Sequence, residues 1–95
     1  MAKYKDLDPV MHSQLRLAVM SILMNTEMAE FTYIKEQTEA TAGNLSVQIS
    51  KLKEAGYLTV HKRFKGNYPQ TLCKVTPLGK KKFEEYVDSL RDYIK

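Results

Sequence analysis

The chain has 95 residues and a net charge of +4 at neutral pH, which sets the scale at one domain with a modest core. Its 43% hydrophobic and 27% charged content is that of an ordinary globular protein and excludes a disordered body. The single cysteine, Cys73, cannot form an internal disulfide, the segment Met1 to Asp6 is polar, and no run approaches the roughly 18 apolar residues of a membrane span, so a cytoplasmic protein is expected.

Asp8-Pro9 opens a helical pattern, with Asp8 as a cap and Pro9 in the first turn; alternatively Ser13 caps a second start after a short turn. Leu15, Ala18, Val19, Ile22 and Leu23 then recur at helical spacing to about Asn25. Glu30-Phe31 reads as a short extended link. Thr32 reads as the cap of a short helix from Tyr33 to Thr38, and Thr41, or else Thr38, as the cap of the next. Leu45, Ile49 and Leu52 form a narrow apolar stripe, and Gly56 ends that helix.

After Gly56 the period changes to two. Leu58, Val60 and Phe64 point one way, and Thr59, His61, Arg63 and Lys65 the other. Residues 65–70 carry turn chemistry, and a second strand is expected from Thr71 to Thr76 with Cys73 and Val75 inward. Thr76-Pro77 opens a last helix striped with Phe83, Val87, Leu90 and Ile94, beside Tyr86 and Tyr93. The fold class is therefore mainly α with a small β-hairpin (α+β), in the order of a winged helix-turn-helix, and residues 1–95 are expected to be one such domain.

The charge is unevenly placed. Residues 51–82 hold nine lysines and arginines against Glu54 alone, whereas residues 1–50 hold four basic residues against six acidic, and residues 83–95 two against four. A one-signed block favours a polyanion partner, with a merely solvated basic face as the plain alternative. The helix at about residues 41–55 turns Asn44, Ser46, Val47, Gln48, Ser50 and Lys51 away from its stripe. Asn and Gln can pair bidentately with adenine, Ser can reach base or phosphate, and an exposed Val can meet a thymine methyl. Thr41, at the head of the helix, joins this set. The hairpin at about residues 62–71 presents Lys62, Arg63 and Lys65, suited to phosphate or minor groove, with Tyr68 at its tip.

Nothing in the sequence points to catalysis. His12 and His61 lack a second ligand at metal spacing, Cys73 lacks a neighbouring His and reads as a packing residue, and the four glycines form no phosphate loop. No enzyme activity, cofactor or metal is expected. A winged helix used only for protein contacts is the alternative reading.

Three stretches carry a family resemblance over about residues 7–90. These are Leu7-Asp8-Pro9-Val10-Met11-His12-Ser13 with Leu15-Arg16-Leu17-Ala18, then Asn44-Leu45-Ser46 through Leu52-Lys53-Glu54-Ala55-Gly56-Tyr57-Leu58, and finally Val75-Thr76-Pro77-Leu78-Gly79. Together they resemble the small MarR-like winged-helix transcriptional regulators. The resemblance implies sequence-specific binding of double-stranded DNA by a homodimer held by its terminal helices. It gives Asn44, Ser46, Val47, Gln48 and Lys51 the groove-facing role and Lys62, Arg63 and Lys65 the wing role. Val47 and Gln48 stand where relatives often carry Ser and His, implying a different operator, and Gln70 stands where a basic residue is common. A small-molecule effector is not assigned to any residue.

The working unit is expected to be a symmetric dimer on a palindromic site, joined by segments of about 1–25 and 77–95. Tyr4, Leu7, Phe83, Tyr86, Val87, Leu90 and Ile94 would form the contact. Residues 1–50 and 83–95 are each net acidic, which would turn the outer parts of the chain away from DNA.

Overall fold

The computed structural model describes residues 4–94. Seven elements follow in the order α1 (Gln14–Thr26), β1 (Met28–Glu30), α2 (Phe31–Thr38), α3 (Ala42–Glu54), β2 (Leu58–Lys65), β3 (Tyr68–Val75) and α4 (Pro77–Ile94). The three strands form one antiparallel sheet in the order β1-β3-β2. Four helices with a three-stranded sheet and a hairpin wing make the expected winged-helix architecture. Residues 1–3 and 95, the outer ends of the segments expected at a dimer contact, lie outside the described residues.

Local chemistry sets most element ends. Asp8-Pro9 forms a turn rather than a helix start: Val10 N donates to Asp8 Oδ1 at 2.8 Å and His12 N to the Asp8 carbonyl at 2.8 Å. The later start is the one used, with Ser13 Oγ accepting from Arg16 N at 3.5 Å to cap α1. The short link becomes β1, displaced toward Met28, and pairs Met28, Ala29 and Glu30 with Lys74, Cys73 and Leu72. Thr32 does not cap α2. The helix begins at Phe31 from an extended Glu30, and the Thr32 hydroxyl instead donates to Glu30 Oε2 at 3.3 Å. Sheet pairing holds Glu30 extended and leaves the next residue to begin the helix.

Thr41 caps α3, accepting from Asn44 N at 3.2 Å. At the other end Gly56, at φ +81°, closes a Schellman motif: Tyr57 N donates to the Leu52 carbonyl at 3.0 Å and Gly56 N to that of Lys53 at 2.9 Å. The wing turn is shorter than its composition predicts. Gly66, at φ +63°, and Asn67 form a two-residue turn, so Lys65 pairs at once with Tyr68 and β3 starts three residues before Thr71. Pro69 is tolerated in the strand because Phe64 and Pro69 form the next, non-hydrogen-bonded pair. The missing N–H there faces the side that β1, ending opposite Leu72, leaves open.

The core is buried where the helical and strand periods place it. Val19, Leu23, Leu45, Ile49, Leu52, Leu58, Cys73 and Val75 are all buried. Met20, outside the stripe read for α1, is also fully buried. Leu72 is buried as well, although alternation puts it on the opposite face of β3 from Cys73; it lies on the central strand between Glu30 and His61.

The last helix is placed by a joint with the end of α3. Thr76 Oγ1 donates to the Gly56 carbonyl at 2.6 Å and accepts from Gly79 N at 2.9 Å, while Thr76 N donates to the Tyr57 carbonyl at 3.1 Å. Gly79 is buried so closely that a Cβ there would stand 2.0 Å from the Tyr57 carbonyl oxygen. This contact sets the rotation of α4. Residues seven apart share a helix face, so Tyr86 follows Gly79 inward and Tyr93 follows Tyr86. Tyr86 is only 4% exposed, with its hydroxyl 3.0 Å from His12 Nδ1. It is therefore a core residue and not, as expected, surface for a partner. The Tyr93 ring lies 5.0 Å from that of Tyr4 and its hydroxyl donates to the Lys5 carbonyl at 2.8 Å, tying the two ends of the chain together.

Two buried protons link this core to pH. Burial, then the hydrogen bond to Asp8 and the charges of Asp8 and Glu85, push the Tyr57 phenol from 10.0 up to about 12. Burial pushes the Cys73 thiol from 9.0 up to about 11. Both groups hold their protons more tightly when folded, so their contribution is complete below pH 9 and is lost as pH rises from 9 to 12. Urea midpoints measured across this range should show the advantage of the wild type over Tyr57→Phe, on the order of 2 kcal/mol or less at neutral pH, shrinking between pH 10 and 12. A constant difference across that interval would contradict the assignment.

Candidate nucleic-acid interface

The exposed side of α3 and the inner side of the wing meet at one surface. Thr41, Asn44, Ser46, Val47, Ser50 and Lys51 are exposed along α3, and Val47 keeps 52% of its surface open. An apolar side chain so exposed among polar neighbours gains nothing from the fold itself. Cavities confirm how the two elements face each other: Ser46, Ser50 and Lys53 of α3 share a groove of about 330 Å³ with Lys62 and Thr71 of the wing and Phe31 of α2. Lys53 was not among the residues singled out from sequence. It follows Ser46 and Ser50 at helical spacing, which is the signal that would have found it.

The sequence reading of Gln48 as a freely projecting side chain needs correction. Gln48 is half-buried, because Arg16 of α1 donates from Nη1 to its Oε1, while Gln48 Nε2 donates to Asn44 Oδ1 at 3.1 Å. The same guanidinium donates through Nε to the Val10 carbonyl at 2.7 Å and through Nη2 to that of Pro9 at 3.4 Å. Arg16 thus fixes the Asp8 turn and the Gln48–Asn44 pair against each other. As the one lysine or arginine between Lys5 and Lys35, and the only charged residue of α1, it carried a signal that periodicity passed over.

Alternation divides the wing cations between two faces. Lys62 turns to the groove beside α3, whereas Arg63 shares the outer face with Lys65. Arg63 Nε donates to Gln70 Oε1 at 3.0 Å, and Gln70 Nε2 donates to Glu30 Oε1. Gln70, which replaces the expected basic residue, therefore bridges Arg63 to the base of the sheet. All three wing cations remain exposed. Between Ala40 and Thr71, Lys51, Lys53, Lys62, Arg63 and Lys65 face only Glu54 as counter-charge, so the surface is one-signed.

The remaining basic run is partly neutralised. Lys80 pairs with Glu27 at 3.1 Å and Lys82 with Glu85 at 3.5 Å, both at exposed positions. Of the residues expected at a dimer contact, Tyr4 and Ile94 are exposed, while Leu7, Phe83, Val87 and Leu90 are half-buried. Among the described residues no cluster of three or more His, Cys, Asp or Glu could hold a metal ion, and no helix is long and apolar enough to cross a membrane.

Comparison with known proteins gives this surface its family. An uncharacterized protein of Methanocaldococcus jannaschii is 31% identical over 78 residues, spanning 82% of this chain and 85% of the relative. A transcriptional regulator homologue from Pyrococcus horikoshii superposes with a TM-score of 0.84 at 26% identity, covering 90% of this chain and 84% of that one. BldR, a transcriptional regulator from Sulfolobus solfataricus, shares the fold at a TM-score of 0.73 and 18% identity, covering 86% of this chain and 58% of the longer protein. A MepR-like protein does so at 0.76 and 15%, covering 86% of this chain and 57% of that one. The family model for the winged helix DNA-binding domain matches residues 15–94, and the chain belongs to that family.

Proposed function

We propose that the protein is a transcription regulator that binds double-stranded DNA in a sequence-specific manner, with α3 in the major groove and the wing on the backbone or minor groove. The observation that carries this reading is the groove that α3 shares with Lys62 and Thr71 of the wing, which sets polar α3 side chains beside cations with no acidic group among them. Asn44, Val47 and Gln48 are the candidates for base edges, with Thr41, Ser46, Ser50 and Lys51 beside them. Arg16 acts as a positioning residue: it holds Gln48 and Asn44 in one arrangement before DNA arrives, which lowers the ordering cost of binding. Lys62, Arg63 and Lys65, joined by Lys53, supply phosphate contacts.

The two groups of residues should separate in one titration. Gln48→Ala should weaken binding to a duplex selected from a random-sequence pool by about 1–3 kcal/mol and bind unselected DNA nearly as the wild type does. Lys62→Ala with Lys65→Ala should weaken binding to both duplexes and reduce the salt slope by about 0.9 for each lost phosphate contact. Equal losses for Gln48→Ala on both duplexes, or an unchanged slope for the lysine variant, would contradict the division.

The functional unit in this proposal is a homodimer joined through α4 and the N-terminal segment, on a palindromic operator. Phe83 and Leu90 pack partly against the chain's own core beside Tyr86, while Val87 stays half-buried and Ile94 is 73% exposed, so this edge of α4 keeps apolar surface for a partner. The molecule is also extended, 56 Å long against 25 and 21 Å, with a radius of gyration of 14.4 Å where about 13 Å is usual for this size. A second copy on that stripe would leave two α3 helices free to enter major grooves about one turn apart. Sedimentation at micromolar concentration should give twice the 11.0 kDa chain mass, and Leu90→Glu should return it to the monomer. A wild-type chain that sediments at 11.0 kDa with and without DNA would exclude the dimer.

A further inference from the structure

The most exposed aromatic side chains of the protein lie together at the tip of the wing. Phe64 is 75% and Tyr68 78% exposed. Sequence alternation put Phe64 on the same face as the buried Leu58, yet nothing covers it, because the core ends before the wing does. β1 pairs with β3 only as far as Leu72, so residues 62–71 continue as a two-stranded ribbon beyond the sheet. Four residues per strand carry the tip about 13 Å past the last residue that the third strand supports. Phe64 faces Pro69 across the ribbon and Lys65 faces Tyr68, giving one aromatic ring on each face beside the two-residue turn. Lys62, Arg63 and Lys65 surround these rings and leave no acidic residue on the ribbon.

An aromatic pair in this position costs solubility and adds nothing to the core, whereas the flanking cations select a polyanion. An aromatic ring is as thin as a base, and a narrow two-stranded ribbon tip is slender enough to approach a groove about 6 Å wide. We propose that Phe64 and Tyr68 form an apolar wedge that the basic ribbon carries into the minor groove, where it parts a base step and bends the duplex. Lys62, Arg63 and Lys65 hold the adjoining phosphates, and Pro69, on the strand opposite Phe64, stiffens the ribbon and blocks pairing by another strand. The inference rests on the DNA-binding reading above and adds to it a deformation of the DNA, and hence a dependence on how easily the contacted step unstacks.

The test uses the full chain and a duplex it selects from a random-sequence pool, with 2-aminopurine placed at successive steps and a fluorophore pair at the ends. The wild type should raise 2-aminopurine emission at one step in each half-site and shorten the end-to-end distance. Phe64→Ala with Tyr68→Ala should lose both signals and bind about tenfold more weakly with the salt slope intact, and Phe64→Leu with Tyr68 retained should restore the bend. Because both positions are exposed, circular dichroism and thermal melting should match the wild type. Unchanged emission with the wild type, or unchanged affinity in the double variant, would overturn the wedge while leaving the DNA-binding reading in place. So would a loss confined to the salt slope, or a change in sedimentation alone, which would assign the rings to a contact between copies. Failure of the wild type to bind any duplex would overturn both.

Discussion

One backbone contact sets the geometry on which the rest of the molecule depends. The carbonyl of Tyr57, just past the end of α3, occupies the place where a side chain at Gly79 would be. Thr76 closes the same joint from the other side, donating to the Gly56 carbonyl and capping the first turn of α4. Gly56 supplies the positive φ that lets the chain leave α3 in the right direction. The end of α3, the start of the wing and the last helix therefore meet at a few residues, so the angle between them is fixed by hydrogen bonds and a steric limit rather than by the size of the core. The consequence reaches two turns along α4, where Tyr86 becomes core, and four turns along, where Tyr93 ties down the segment before α1.

That constraint explains what the sequence does and does not disclose. The apolar stripe of Leu45, Ile49 and Leu52, the Thr41 cap and the Gly56 stop are local features, decided within one or two helical turns, and periodicity and capping chemistry read them directly. The rotation of α4 is not local. Phe83, Val87, Leu90 and Ile94 make the more regular stripe, but with Gly79 against Tyr57 the buried line runs through Tyr86, with Phe83 and Leu90 packed beside it and Ile94 left exposed. The start of β3 was missed because Tyr68-Pro69-Gln70 has the composition of a loop, while pairing opposite Phe64 and Arg63 makes it strand. Arg16 escaped notice for a similar reason: its partners are carbonyls of a distant turn and a side chain 32 residues away. On the candidate surface, the exposure of Asn44, Ser46, Val47, Ser50 and Lys51 was legible from the buried stripe opposite them. The restraint on Gln48 and the split of Lys62 from Arg63 required the tertiary structure.

The distribution of charge follows the same division of labour. Cations gather on α3 and the wing, where Glu54 is the only acidic residue, and residues 1–50 and 83–95 are each net acidic. Ion pairs on α4 at Lys80–Glu27, Lys82–Glu85 and Arg91–Asp88 are exposed and contribute little to stability individually. They do offset part of the basic run at the start of α4. In the proposed function, the hydrogen bonds from Arg16 to Gln48 and from Gln48 to Asn44 would preorganise a reading helix beside a ribbon that projects past its supporting strand. On that reading, phosphate contacts would set register and affinity while a small number of groups would set sequence preference.

The central claim is that the joint, not helix propensity, governs residue 79. By propensity alone, Gly79→Ala in α4 should stabilise the protein by about 1 kcal/mol. The steric limit at the Tyr57 carbonyl predicts the opposite sign, because a Cβ placed 2.0 Å from that oxygen must push the start of α4 away from the end of α3. Urea denaturation of the purified Gly79→Ala variant decides between them. A loss of about 3 kcal/mol or more is expected from overpacking against backbone; a midpoint equal to or above that of the wild type would contradict the account.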